Sequence, residues 1–166
     1  MKISNIILGI GAALLLNLPL FAQTKTRNKT EYCENYHKEK CKFQREDIEF
    51  QYNSQSKSAL FRPGQSCTFN ITVFKGFDYR MTFHADENLL QGQHLMYKVL
   101  DARTKKVLFE TSEDDTNLDF EFVCDNSLNL IIQLQLPEVS YEPTDESMYG
   151  CLGFLLESRN SLKTGF

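Results

Sequence analysis

Cys67-Thr68-Phe69-Asn70-Ile71-Thr72-Val73 places an apolar side chain at every second position and a polar one between. That period of two belongs to a strand with one buried face; a helix needs apolar residues three and four apart. After the turn Lys75-Gly76-Phe77-Asp78, Tyr79, Met81 and Phe83 alternate with Arg80, Thr82 and His84. Two strands of one period joined by a glycine-bearing turn predict a β-hairpin.

The same period runs outward in both directions. Upstream, Ile48, Phe50 and Tyr52 alternate with Glu49 and Gln51, and residues 56–61 read as an extended piece stopped by Arg62-Pro63-Gly64-Gln65. Downstream come Leu95, Tyr97 and Val99, a short strand at residues 107–110, then Leu118, Phe120, Phe122 and Cys124. After the turn Asp125-Asn126-Ser127, Leu128, Leu130, Ile132, Leu134 and Leu136 alternate again, and residues 150–157 close the pattern. Regular short strands separated by turn signals predict an all-β fold, a single jelly-roll-like β-sandwich of about eight strands. A short helical turn is expected over residues 31–42. Strands of six or seven residues are too short for a membrane barrel, whose strands need about 9–11.

Residues 1–22 carry a secretory leader pattern: Lys2 as a positive start, an apolar run from Ile6 to Leu16, and Leu20-Phe21-Ala22 as a small-residue cleavage site. The expected organisation is a signal peptide at 1–22, a flexible tether at 23–30, the sandwich at 31–160 and a tail at 161–166. The expected location is periplasmic or extracellular, soluble after cleavage. Removing 22 of 166 residues leaves 144, a common single-domain size. The 18 Lys and Arg, less Lys2, stand against 22 Asp and Glu, a formal −5. A mild acidic balance argues against nucleic acid or anionic lipid as partner, and no later stretch reaches the ~20 apolar residues of a membrane helix.

Five cysteines, Cys33, Cys41, Cys67, Cys124 and Cys151, leave at least one thiol unpaired within the chain. Cys33 and Cys41 are the disulfide candidates because they are close in sequence. On one straight helix eight residues separate their Cα atoms by about 12 Å, whereas a disulfide spans under ~7 Å. They pair only if the helix ends between them. His37 lies between the two, but the spacing is not that of a zinc site, and no metal or other cofactor is expected.

The turn Arg62-Pro-Gly-Gln65, the stretch Lys75-Gly-Phe-Asp-Tyr79 leading into Tyr79-Arg-Met-Thr-Phe83, and Leu95-Met-Tyr-Lys-Val-Leu-Asp101 turning into Lys106-Val-Leu-Phe109 follow one another in order. Together with Leu118-Asp-Phe-Glu-Phe122 and Leu130-Ile-Ile-Gln-Leu134, they resemble accessory β-sandwich modules of the pre-peptidase C-terminal type and, more loosely, the GOLD-like sandwich. Ser58-Ala-Leu-Phe-Arg-Pro-Gly-Gln65 is also similar to a stretch in secreted proteins of Bacteroidota-type bacteria. The resemblance implies a non-catalytic role in adhesion, in contact with cargo or substrate, or in support of another domain. It transfers no catalytic residue.

Residues that would carry chemistry are sparse. His84 with Asp86 and Glu87 is the one base beside carboxylates, and a cysteine such as Cys67 would be its nucleophile. Strand parity turns Cys67 inward with Phe69 and Ile71, as a small buried hydrophobe. Glu113, Asp114, Asp115 and Asp119 supply hard oxygens without the alternating spacing of a calcium loop. Asn28-Lys-Thr30 and Asn70-Ile-Thr72 match glycosylation sequons. Phe74, Phe77, Met96, Leu108 and Tyr141 fall out of phase and read as outward. The binding candidates are Phe77, Tyr141 and Tyr149, with the loops at 85–93 and 139–149. The leading reading is a secreted, non-enzymatic interaction module with an envelope or extracellular protein as partner. A carbohydrate-binding module is the alternative, with the absence of Trp against it; a cysteine-dependent enzyme is the second alternative.

Overall fold

The computed structural model describes residues 32–41, 50–112, 119–138 and 149–161. The proposed leader and tether, Ile48, the acidic residues 113–115, Tyr141 and most of the 139–149 loop lie outside the described residues, as do residues 162–166.

Two antiparallel sheets stack as a sandwich. A short helix α1 (Tyr36–Lys40) precedes β1 (Gln51–Tyr52), β2 (Lys57–Phe61), β3 (Ser66–Val73) and β4 (Phe77–Ala85). A one-turn helix α2 (Glu87–Leu90) then leads to β5 (Met96–Asp101), β6 (Val107–Glu110), β7 (Asp119–Val123), β8 (Leu128–Gln135) and β9 (Gly150–Asn160). In sheet A, β1 and β2 both pair with β9, followed by β4 and β7; sheet B has the order β3-β8-β5-β6. Neither sheet closes on itself, so this is a sandwich and not a barrel.

The expected hairpin between residues 67–73 and 79–84 does not form. β3 pairs with β8 in one sheet, and β4 pairs with β7 and β9 in the other. The turn at Gly76 (φ 87°) carries the chain across the sandwich. Both strands have a strongly apolar face, and facing one another across the core buries both: Ile71 and Val73 on one side, Tyr79, Met81 and Phe83 on the other. Paired edge to edge, the two apolar faces would lie on one side of a single sheet and would still need another layer to cover them.

Alternation survives in sheet B, whereas β4 and β9 are buried on both faces, Arg80 and Thr82 included. In β8, Leu130, Ile132 and Leu134 are buried between exposed Asn129, Gln133 and Gln135. Ile132 pairs with Phe69 on β3 and with Val99 on β5, so its register is fixed from both sides. Each such fully buried aliphatic contributes about 1.5–3 kcal/mol. Rings thread the core from sheet to sheet: Phe69–Phe154 (5.0 Å), Phe154–Phe83 (5.1 Å), Phe83–Tyr97 (4.4 Å), Tyr97–Phe109 (5.4 Å) and Phe109–Phe120 (4.2 Å between centroids). Each pair adds roughly 0.5–1.5 kcal/mol beyond its burial. Phe109 on β6 and Phe120 on β7 join the two sheets along one side.

The loop expected at residues 85–93 contains α2, whose Leu89 is fully buried. Gly150 makes room for it. A Cβ there would lie 2.6 Å from Asn88 Oδ1 and 2.7 Å from Leu89 Cγ.

Candidate functional site

The two outer faces of the sandwich differ. That of sheet A is covered over β9, β2 and β4 by α1, which crosses β9 at Gly153: a Cβ there would stand 2.9 Å from His37 Cα and 3.0 Å from Cys41 Sγ; β7 beyond it stays open, with Val123 exposed. Cys33 is disulfide-bonded to Cys151 of β9 (Cα–Cα 5.4 Å), so the expected Cys33–Cys41 pairing is corrected. The helix runs between Cys33 and Cys41 and keeps them on separate turns. The strand beneath brings Cys151 up to Cys33, while Cys41 comes down over Gly153.

Side chains complete the seal. Tyr36 Oη donates to Asp86 Oδ1 at 2.6 Å, so at 2.9 Å from His84 Nδ1 the phenol oxygen accepts from the ring N–H. Asp86 Oδ2 accepts from the Cys151 amide at 2.7 Å. His37 lies on β2: its amide donates to Ser58 Oγ at 2.8 Å, and its Nδ1 is 2.6 Å from the same oxygen. Burial lowers the proton affinity of both imidazoles, helped at His37 by Lys38 and opposed at His84 by Asp86. Burial, then the bond to Asp86, pushes the Tyr36 phenol up.

This arrangement is not that of a cysteine–histidine nucleophile. Such a site needs a lowered thiol pKa. Cys41, the thiol packed beside His84 and His37, is buried and pushed up to about 12 by desolvation. Burial also raises Cys67 and Cys124. Cys67 faces the core, as alternation predicts, on a different sheet from His84.

The outer face of sheet B is built differently. The register aligns Ser66, Gln135 and Met96 in one row; Thr68, Gln133, Lys98 and Glu110 in the next; then Asn70, Ile131, Leu100 and Val107; and last Thr72 with Asn129. Its two charges neutralise each other, Lys98 Nζ lying 2.6 Å from Glu110 Oε1. Both are about half exposed, so the pair contributes at most about 1 kcal/mol. Ile131, Leu100 and Val107 form an apolar stripe among hydrogen-bonding side chains. A register shift after Val99 leaves Leu108 without a strand partner and exposed at the β6 edge. Such a bulge also discourages another strand from adding there.

Two depressions meet at one corner of this face. One, of about 370 Å³, is bordered by Thr68, Lys98, Glu110, Gln133, Met96 and Gln135. The other, of about 430 Å³, lies between Gly92, Gln93, His94 and Pro137 and shares Met96 and Gln135 with the first. The face therefore continues onto the loops at one end of the sandwich.

Of the residues expected to bind, the two that are described, Phe77 and Tyr149, lie far apart, and Tyr141 is outside the described residues. Phe77 opens β4, half-buried against the core, with its ring 6.3 Å from that of Tyr79. It pairs with Asn160 at the far end of β9. Tyr149 stands just before the other end, with the Arg62 guanidinium 4.6 Å over its ring and its carbonyl accepting from Asn88 Nδ2. Eleven strand residues at about 3.3 Å each put some 35 Å between them. Phe74, Met96 and Leu108 are exposed as expected, but of these Met96 borders the depressions on sheet B's open side, while Leu108 lies with Val99, Phe120 and Phe122 at the gap between the sheets. Gln133, Gln135, Thr68 and Lys98 were not singled out from the sequence. Their signal was the run of uncharged polar residues at outward positions of β3 and β8, which means little until the strands are known to be neighbours.

No protein-family model matches the chain, and no curated protein matches it. Among solved structures it is similar to the crystal structure of Aeromonas hydrophila PliG, a periplasmic lysozyme inhibitor of g-type lysozyme. That similarity has a TM-score of 0.44 at 8% identity and covers 63% of this chain and 84% of that one.

Proposed function

We propose that this protein is a secreted, non-enzymatic binding module that contacts an envelope or extracellular protein through the open face of sheet B and its Met96–Gln135 corner. The observation that carries the proposal is the asymmetry of the faces: the middle of one, over β9, β2 and β4, is covered by a disulfide-bonded helix, while the other presents an electroneutral grid of amides and hydroxyls around an apolar stripe. Protein-binding surfaces have this make-up, with few charges at the centre and a polar rim. Thirteen outward residues on strands about 4.8 Å apart, in rows about 6.7 Å apart, present roughly 400 Å². A stable interface needs about 800 Å² per partner, so the loop at residues 91–95 must join the contact. The accessory role implied by the resemblance to pre-peptidase C-terminal modules belongs to the same proposal.

A photo-reactive amino acid at Gln133 tests it, with one at Glu39 on the exposed side of α1 as control. A single protein adduct from Gln133 in intact envelopes, absent from Glu39, is the expected result; identical adducts from both positions overturn it. The carbohydrate reading predicts aromatic rings at the binding surface. None of the described outward residues of sheet B is aromatic, which favours a protein partner.

A further inference from the structure

Among the described residues, two clusters of buried apolar side chains do not merge. The large one fills the space between the sheets; the small one consists of Cys33, Tyr36 and Cys151 with Leu60 packed on it, under α1. α1 is five residues long, enters through Asn35 in the left-handed region (φ 64°) and has no side-chain cap. A helix of that length does not persist by itself in water. Its hold on sheet A includes the Cys33–Cys151 bond, the Tyr36 hydroxyl on His84 and Asp86, His37 on Ser58 and on the Tyr52 hydroxyl (3.3 Å), and Lys38 over the Tyr52 ring; of these only the disulfide is covalent. The side chains that α1 occupies are all on the outer face, so lifting it leaves the inter-sheet core untouched.

We infer that α1 is a disulfide-latched strap: while Cys33–Cys151 is intact it stays seated over Gly153 and shields the Cys41 thiol, and when that bond is reduced it lifts from sheet A with the sandwich still folded. The reductant is a dithiol. It gives two electrons and two protons, the Cys33–Cys151 sulfur–sulfur bond breaks to two thiols, and the dithiol closes to its own disulfide. The strap is thus a redox-sensitive cover over the outer face of β9 and β4, independent of what the open face of sheet B binds.

The test is native-state alkylation of the full chain with iodoacetamide, read at each cysteine by peptide mass, with and without dithiothreitol. Amide exchange is followed in β4 and β8. Reduction is expected to speed Cys41 labelling by about tenfold or more, with β4 and β8 as protected as before, since local openings need not involve the global unit. Cys151→Ser should reproduce this without reductant. Cys41 remaining slow once alkylated Cys33 and Cys151 show the bond to be reduced overturns the inference. So does loss of β4 and β8 protection together with Cys41 exposure, or a Cys151→Ser chain that is unfolded throughout.

Discussion

Gly153 of β9 and His37 of α1 are in backbone contact: a Cβ on the glycine would stand 2.9 Å from His37 Cα and 3.1 Å from its amide nitrogen. Backbone cannot move aside as a flexible side chain would, so the absence of a side chain at this one strand position lets the helix lie on the sheet. Gly153→Val is expected to cost about 1–3 kcal/mol, the range for overpacking. The loss should appear as a lower urea midpoint with weakened amide protection in α1. An unchanged midpoint would mean that the helix does not bear on this residue.

The Cys33–Cys151 bond closes a loop of 118 residues, and removing a native disulfide typically costs about 2–5 kcal/mol. Cys33→Ser and Cys151→Ser are expected to lower the thermal midpoint alike, and the double variant no further. Cys41→Ser should leave the bond in place. Non-reducing peptide mapping decides between the pairings: a fragment joining Cys33 to Cys41 would contradict the fold of the N-terminal segment.

Ile132 is fully buried at the centre of β8, and Ile71 faces the same core from β3. Ile132→Asp or Ile71→Asp buries an unpaired charge and is expected to abolish folding, judged by loss of the β-type circular dichroism. Phe120 is only partly buried beside Phe109, so Phe120→Asp should weaken the fold and not abolish it. Thr72 lies outward with its hydroxyl on Asn129 Oδ1 at 2.9 Å; Thr72→Asp should stay within about 0.5 kcal/mol of the parent, the usual range at the surface. The reverse order would mean that the register has slipped by one residue and exchanged the faces.

His37 and His84 both hold a lowered pKa in the folded state from burial, reinforced at His37 by Lys38 and partly opposed at His84 by Asp86. In the unfolded chain each returns to about 6.5. As pH falls below that value the unfolded state takes up protons that the folded state resists, so stability is full above pH 6.5 and declines below it. Urea midpoints measured from pH 7.5 to 5 should fall, and the double variant His37→Gln, His84→Gln should flatten that slope. A slope unchanged in the double variant would place the pH response elsewhere.

Much of the fold was legible without coordinates because alternation is a local property of the chain. Ile71, Met81, Phe83, Ile132 and Leu134 face inward as their parity requires, and the turn at residues 62–65 and the strand at 107–110 lie where they were read. What was misread is non-local. The strands at 66–73 and 77–85 are adjacent in sequence, and a turn that crosses between sheets has the same glycine as one that folds a hairpin. α2 was hidden because four residues are too few to display a helical period, and only the buried Leu89 hints at it. Cys33 was matched to its sequence neighbour, because nothing in the sequence brings Cys151 within reach.

For the site the division is sharper. Phe77 and Tyr149 were singled out as aromatics near turns, and antiparallel pairing of β4 with β9 sends them to opposite ends of the molecule. The open face of sheet B was visible only as scattered Thr, Asn and Gln on two strands some 60 residues apart. Residue type and period alone show an all-β chain, the inward side of each strand of sheet B, and a sequence without a strong metal-ligand or nucleophile pattern; burial of both faces of β4 and β9 is not among the things they show. Tertiary structure alone decided which strands are neighbours, which cysteines bond and which outer face is left open. Those depend on pairings between residues tens of positions apart, 118 for the disulfide, where the gain comes from burying two apolar surfaces against each other and not from any preference of the local chain.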